Sequence, residues 1–596
     1  MNETAMKKIL LICLLWLAAG PVGAQTNVLE KGLEDRSLDD SELSRKYIVP
    51  SRIIPLPGDE SRGVTNAEAL LKPFDGQLST TTGDFCLMTT SEGRRASVLL
   101  DYGKELYGGI EITSPMRPSL LPIRVRVRMG ESVSETMSDA ESRTDFECPM
   151  ATATNEHTMR DFTLEVPWLG SVEIGNSGFR FVRIDLLDED AVLPVKSVRA
   201  VLRYRDIPYL GSFCCDNERL NAVWETGAYT VHLNMQNYLW DGIKRDRLVW
   251  LGDMHPEVMT IQSVFGDNPV VRKSLDFARD NTPLPEWMNT ISAYSMWWIL
   301  IHRDLYLYQG DLDYLKGQQT YMKALLRQLM ASTDGPKEKM ENGFRLLDWP
   351  TSRSPEIIHA GYQALLVMCM EAGVQVGEWI GDTEMRRECA DALTLFRTYV
   401  PPHLGNKQAA SLLALAGLVD PAEVSRSVVA AGGPEGFSTF YGYYMLEALA
   451  QGGLHTEAME IISRYWGAML DLGATTFWEN LDWNHVANAA RIDEIVPAGK
   501  FDIHACSGDF CYLGLRHSFC HGWASGPTPW LSRYVLGVVP VEPGCRVVRV
   551  EPHLGGLKWV EGTFPTPHGV IEIRHEKGAD GKIVTKIKAP KGVKVI

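Results

Sequence analysis

Asn217-Glu-Arg-Leu-Asn-Ala-Val-Trp-Glu-Thr-Gly-Ala-Tyr-Thr-Val-His-Leu-Asn-Met-Gln-Asn237 is the stretch where the chain changes texture. Leu220, Val223, Trp224, Gly227 and Val231 recur at helical spacing along one side, which predicts an amphipathic helix. Helical patterns follow near 253–265, 291–309, 312–332, 354–380, 382–398, 407–416, 421–431, 437–451, 454–471 and 525–537. Their connections are short, and no strand alternates with them as a parallel sheet requires. A helical solenoid needs a fixed repeat period, and the sequence has none. A closed ring of paired helices, an (α/α)6 barrel, accommodates the count.

On either side of this region the period is two. Ile123-Arg-Val-Arg-Val-Arg128, Asp161-Phe-Thr-Leu-Glu-Val166 and Phe179-Arg-Phe-Val-Arg-Ile184 alternate apolar with charged. That is the pattern of half-buried antiparallel strands. Gly and Pro punctuate them at short intervals, which predicts a β-sandwich. Residues 31–46 are charged and read as a partly ordered lead-in. Arg546-Val-Val-Arg-Val550, Val570-Ile-Glu-Ile-Arg574 and Lys582-Ile-Val-Thr-Lys-Ile587 alternate again, with Gly-Ala-Asp-Gly at 578–581 as a turn. The expected organisation is a signal segment at 1–24, an N-terminal β-sandwich region at 25–210, a helical catalytic domain at 211–538 and a C-terminal β-sandwich at 539–596.

The chain has 596 residues, 45% hydrophobic and 22% charged, which is ordinary globular composition with room for large cores. Its formal net charge of -16 argues against holding nucleic acid or anionic lipid by the overall field. Lys7 and Lys8, the apolar run Ile9–Ala19 and Val22-Gly23-Ala24 before Gln25 read as a cleavable secretory signal. That run is too short for a stable membrane span, and no later segment has 18 uninterrupted apolar residues. The expected protein is therefore secreted or periplasmic, with no membrane span. Cys13 leaves with the signal and ten cysteines remain. Cys506, Cys511 and Cys520 cluster beside His504 and His521, but without the Cys-x-x-Cys spacing of a zinc site. Buried thiols or one disulfide are the reading, and neither a metal nor a cofactor is expected.

The densest chemistry is Asp241-Gly-Ile-Lys-Arg-Asp-Arg-Leu-Val-Trp-Leu-Gly-Asp253, directly after the helix that opens the domain. A solvated charged loop is the bland reading. Against it, Gly242 and Gly252 suggest tight backbone geometry. Trp240 and Trp250 also interleave with the charges, as in a carbohydrate site. In Thr475-Thr-Phe-Trp-Glu-Asn-Leu-Asp-Trp483, Glu479 lies between Trp478 and Trp483. Two carboxyl groups facing a scissile bond are the minimum equipment of a glycosidase. Tyr294-Ser-Met-Trp-Trp298, Leu347-Asp-Trp-Pro350, His359, Phe440-Tyr441 and Cys520-His-Gly-Trp-Ala-Ser525 add aromatics at helix ends. Each alone reads as core packing. With 16 Trp in the chain, many beside Asp, Glu or His, a sugar cleft explains them together.

The first motif resembles the signature of the α-L-rhamnosidases of glycoside hydrolase family 78, and Thr475–Glu479 resembles that family's second catalytic motif. The run Glu551-Pro-His-Leu-Gly-Gly-Leu-Lys-Trp-Val-Glu-Gly-Thr-Phe-Pro-Thr-Pro-His-Gly569 is similar to its closing β-domain. The resemblance spans roughly residues 90 to 596. It implies an inverting enzyme with Asp246 as general acid and Glu479 as general base. It also implies Asp241 and Asp253 on sugar hydroxyls, Trp250 as a subsite ring, His521 near the sugar, and Trp298 and Trp349 as pocket walls. One position departs: the family usually has Glu where this chain has Asp246, one methylene shorter. Arg245 and Arg247, if near, should lower the pKa of Asp246, while burial and the neighbouring Asp241 and Asp253 should raise it.

The expected activity is release of terminal α-L-rhamnose from a pectic side chain or a glycoside, so the expected partner is a rhamnose-containing oligosaccharide. Another (α/α)6 glycosidase or lyase is the alternative within enzymes. A carbohydrate-binding protein that kept the fold and lost turnover is the alternative outside them.

Overall fold

The structure is a computed structural model that describes residues 42–79, 83–139, 160–341, 343–505 and 514–596. The signal at 1–24, most of the charged lead-in at 31–46, and Cys506 and Cys511 lie outside the described residues.

The N-terminal part is built on one large antiparallel sheet. Its strands run in the order Ser44–Ile48, Ser197–Tyr204, Ser97–Ser114, Gly170–Leu186, Ile123–Gly130 and Arg160–Val166, and Arg52–Ile54 also pairs with Ser97–Ser114. A small three-stranded sheet of Val64–Thr65, Cys86–Thr89 and Val192–Val195 accompanies it. The alternation predicts one apolar and one charged face, and both faces are there. Part of the charged face is not in water, however, although Arg124 and Glu165 remain exposed. In Phe179–Leu186, Arg180 and Arg183 are buried with the apolar residues. Arg180 grips Asp101 through Nε at 2.8 Å and Nη2 at 2.9 Å, and its Nη1 donates to the Gly473 carbonyl at 2.8 Å. Gly473 lies at the end of a helix of the central region, so this part of the charged face packs on the helices through paired ions. Burying such charges is tolerable only because they are paired and hydrogen-bonded.

The central region is helical. Glu218–Asn234 opens it, capped by the Asn217 side chain, which accepts from Arg219 and Leu220 N–H. Leu251–Val264, Ser292–Gln309, Leu312–Ala331, Pro355–Ile380, Thr383–Phe396, Lys407–Leu415, Gly442–Gln451 and His455–Asp471 follow, close to the expected ranges. The pattern expected at 525–537 ends as Pro527–Trp530 followed by a wider π-turn at Leu531–Val535. Among the helices beyond the expectation, the longest is Pro269–Asp280. Asn268 caps it and Pro269 occupies its first turn, the start signal that sequence carries for a helix. Pro355–Ile380 is long and apolar enough to cross a membrane, but 78% of its apolar window is buried inside the protein. It is a core helix.

The C-terminal part returns to strands. Trp559–Thr566, Gly569–Lys577 and Ile583–Lys588 form a sheet whose fourth strand, Ser212–Cys215, comes from just before the first helix of the central region. The two ends of the helical region are thereby tied together. The pairing Ser212↔Thr563 to Cys215↔Val560 seats that first helix against the closing sheet.

Candidate active site

The motif 241–253 folds as a closed loop followed by a helix start. Asp241 N–H donates to the Leu248 carbonyl at 3.1 Å, and Leu248 N–H donates back to Asp241 Oδ1 at 2.9 Å. Within this ring Asp246 and Arg247 take left-handed backbone angles, φ 51° and 54°. Asp is among the few non-glycine residues that tolerate this region. The turn throws the Asp246 side chain back toward Arg245. Arg247 points the other way and donates to the Asn176 carbonyl at 2.8 Å. The second cation beside Asp246 is therefore Arg516, at 3.4 Å, and not Arg247 as the motif suggested.

Arg245 is the centre of the arrangement. Its Nη1 donates to Asp246 Oδ2 at 2.9 Å, its Nη2 donates to Glu479 Oε2, and its Nε donates to the Arg516 carbonyl at 2.8 Å. A single guanidinium thus joins both carboxylates named from the motifs. Burial opposes ionisation of Glu479, but Arg245, with His521 and His517, overcomes it and holds the carboxyl down at about 2. Glu479 is also fixed by its own backbone, which donates to the Ser518 carbonyl at 2.9 Å, and by Ser518 N–H at 3.2 Å.

Asp253 sits in the first turn of Leu251–Val264. Its Oδ1 lies 3.0 Å from His521 Nε2, and Tyr294 donates to Oδ2 at 3.5 Å. Burial raises the pKa of Asp253 and raises that of Asp241 well above the carboxylate range. Burial also works against protonating His521, but Glu479 and Asp253 outweigh it and raise its pKa. Gly522 explains how closely this strand of chain approaches. A Cβ there would stand 1.5 Å from Glu257 Oε1.

These groups open on a cavity of about 190 Å³. Asp241, Arg245, Asp246, Asp253, Glu479 and His521 line one side, and Trp250, Tyr294, Trp349, Trp523 and Phe344 line the rest. That is smaller than the roughly 300–1,000 Å³ of drug-sized ligand sites, so it suits one small ring. Seven of the eight residues expected at the site converge here: Asp241, Asp246, Trp250, Asp253, Trp349, Glu479 and His521. Trp298 does not. It lies one helical turn beyond Tyr294, about 6 Å along Ser292–Gln309. Its indole donates to the Leu275 carbonyl at 3.2 Å and packs on Tyr321 and His302. Only the first turn of that helix reaches the pocket, so the segment contributes a wall through Tyr294 rather than through Trp298.

Among the lining residues, Asn289 lies in none of the quoted segments. Asn289 has φ 52° and clamps the chain on both sides of Trp250. It donates to the Val249 carbonyl at 2.9 Å and accepts from Leu251 N–H at 3.1 Å. Trp523 stacks on Phe440 with centroids 4.6 Å apart and donates to the Glu479 carbonyl at 2.8 Å. His359, one of the aromatics noted at helix ends, instead pairs with Glu338 at 2.5 Å. Cys520 is a buried thiol among Thr230 and Asn234, and His504 and His521 face different surroundings. A larger cavity, about 410 Å³, lies elsewhere in the helical region. Its carboxylates, Asp304 and Glu447, are taken by Arg303 at 2.7 Å and Arg533 at 3.5 Å.

Comparison with known proteins points to one family. Residues 208–535 match the family profile of the bacterial alpha-L-rhamnosidase 6 hairpin glycosidase domain, and residues 537–596 match that of the bacterial alpha-L-rhamnosidase C-terminal domain. No curated protein sequence matches the chain. Among solved structures, the fold is similar to a family 78 rhamnosidase of Bacillus sp. GL1, with TM-score 0.71, 22% identity, and 89% of this chain and 55% of that one covered. It is similar to a rhamnosidase from Klebsiella oxytoca with rhamnose bound, with TM-score 0.62, 19% identity, and coverage of 82% and 96%. A Streptomyces avermitilis alpha-L-rhamnosidase complexed with L-rhamnose is similar too, with TM-score 0.65, 19% identity, and coverage of 84% and 48%. The chain spans about half the length of the Bacillus and Streptomyces proteins. With more than half its residues matching the catalytic-domain profile and its last 60 the closing domain, the chain belongs to the bacterial α-L-rhamnosidases, family 78 of the glycoside hydrolases.

Proposed function

We propose that the protein is an exported, exo-acting α-L-rhamnosidase that inverts the anomeric centre, built on an (α/α)6 barrel. The observation that carries the reading is Arg245 holding Asp246 and Glu479 with two nitrogens of one guanidinium at the wall of a ring-sized pocket. Inverting pairs stand about 6.5–9.5 Å apart to admit the attacking water. In the proposed mechanism Glu479, held ionised, takes a proton from that water. Asp246 gives a proton to the leaving oxygen as the glycosidic bond breaks. Asp241 and Asp253 accept from sugar hydroxyls, and His521 orients Asp253. Trp250, Trp349 and Trp523 pack on the ring and on the apolar C6 methyl of rhamnose. The pocket takes a single terminal sugar, which supports exo action. A rhamnose-bearing pectic side chain or a glycoside is the proposed substrate.

One observation favours a second reading. Both oxygens of Asp246 accept from arginines, Arg245 and Arg516, whereas a general acid must hold a proton. A binding protein that has lost turnover would have no such requirement. The purified mature protein, given an aryl α-L-rhamnoside and a panel of rhamnose-containing oligosaccharides, separates the two. Free rhamnose supports the enzyme, and the panel identifies the linkage. Rhamnose binding without release favours the binding protein. Export is tested by N-terminal sequencing of the secreted form, which should begin at Gln25.

A further inference from the structure

Beneath the pocket lies a fully buried ionic cluster that takes no direct part in the chemistry above. Lys244, next to Arg245, is 1% exposed. Its ammonium stands 3.1 Å from Glu135 and 3.7 Å from Glu131, both buried residues of the N-terminal part. His504 Nε2 is 3.2 Å away. Glu131, Glu135 and His504 converge as closely as the ligands of a metal ion, their ligand atoms within 4.8 Å of one another, and here a lysine ammonium stands among them. The same ammonium donates to the Leu515 carbonyl and, at 3.2 Å, to the His517 carbonyl.

Those two carbonyls belong to a strap, Leu515–Ser518, that touches both proposed catalytic carboxylates. Arg516 donates to Asp246 at 3.4 Å, and its carbonyl receives Arg245 Nε at 2.8 Å. His517 Nε2 accepts from Asn480 N–H at 3.0 Å, beside Glu479. Ser518 N–H and carbonyl bond the Glu479 side chain and backbone. Phe519 N–H, the next along, donates to Glu131 at 2.7 Å. Lys244 and the Glu131–Phe519 bond thus connect the N-terminal carboxylates to the strap.

We infer that Lys244 is a positioning residue: its ammonium, carried by Glu131 and Glu135, fixes the Leu515–Ser518 strap and through it the relative placement of Asp246 and Glu479. This inference rests on the proposed reading of the site. It makes the N-terminal sheet a structural part of the active site, although none of its described residues lines the pocket. A misplacement of about 1 Å at reacting groups costs on the order of 100-fold in rate.

Lys244→Met alone leaves two carboxylates buried without their cation, which threatens folding. The decisive variant is therefore the triple Lys244→Met, Glu131→Gln, Glu135→Gln. Its cluster is neutral, and the amide carbonyl introduced at position 131 can still accept from Phe519. Its thermal unfolding should stay close to that of the wild type. On an aryl α-L-rhamnoside its kcat should fall about 100-fold with KM within about threefold, because the sugar-binding groups lie off the strap. Its crystal structure should show Arg516 and Ser518 parted from Asp246 and Glu479. A folded triple variant with kcat within about threefold of the wild type overturns the inference. So does a slow variant whose crystal structure keeps the strap in place. If the wild type turns over no rhamnoside, the functional reading fails, and the crystal structure of the triple variant still decides the role of Lys244.

Discussion

In the proposed mechanism Glu479 and Asp246 do opposite things, although both accept from Arg245. Glu479 is buried, yet Arg245, His521 and His517 hold it down at about 2. A base in that state stays ionised well below the ordinary Glu value of about 4.3. The acid limb of kcat/KM should therefore lie below about pH 4. Arg245→Met removes the main group lowering this pKa and leaves burial in place, so the limb should move up, past about 4.3; a pH–rate profile of the two proteins checks the direction. Glu479→Gln and Asp246→Asn should each lower kcat by about three orders of magnitude, with rhamnose affinity by calorimetry within about tenfold. Near-normal turnover in either variant removes that residue from the mechanism. Sequence makes these two carboxylates legible because each lies within a few residues of Trp in a dense motif. It does not make Arg245 legible as their link, nor Arg516 as the partner of Asp246. Those contacts join residues 234 and 270 positions apart, and no local pattern encodes them.

At the scale of elements, the sequence tells where helices run more surely than which face each presents. Period places Ser292–Gln309 well, yet of its aromatics it is Tyr294, not Trp298, that reaches the pocket. A helix end meets a site through one turn, and sequence period does not say which. Asn289 illustrates the other limit. It belongs to no motif in the chain, and in the fold it bonds both neighbours of Trp250 from a left-handed backbone. Asn289→Ala should cost roughly 2–3 kcal/mol, from two lost hydrogen bonds at about 1 kcal/mol each plus the left-handed strain. It should also raise KM severalfold as Trp250 loosens. Asn289→Gly relieves the strain without restoring the clamp. Denaturant unfolding should therefore show Gly about 1 kcal/mol better than Ala, with KM equally poor in both. Equal stability of the two would mean that the backbone strain is not real.

On the scale of the whole molecule, three sequence textures pack together, and the described lining of the pocket comes from the middle one. The first strand of the closing sheet comes from residue 212, and Arg180, on the charged part of the N-terminal sheet, lies buried on the helices. Alternation predicts the faces but assigns the charged one to solvent, because period two cannot tell water from a second layer that supplies counter-ions. Arg180→Met should lower stability by about 3 kcal/mol by leaving Asp101 underpaired, and adding Asp101→Asn should recover part of that loss. Thermal unfolding of the three variants gives the cycle. This assembly is proposed to hydrolyse a terminal α-L-rhamnoside with inversion. The most direct test is NMR of the sugar first released from an aryl α-L-rhamnoside by the purified mature protein. The β-anomer of L-rhamnose should appear first and then mutarotate. The α-anomer appearing first, or no release of rhamnose at all, would contradict the claim.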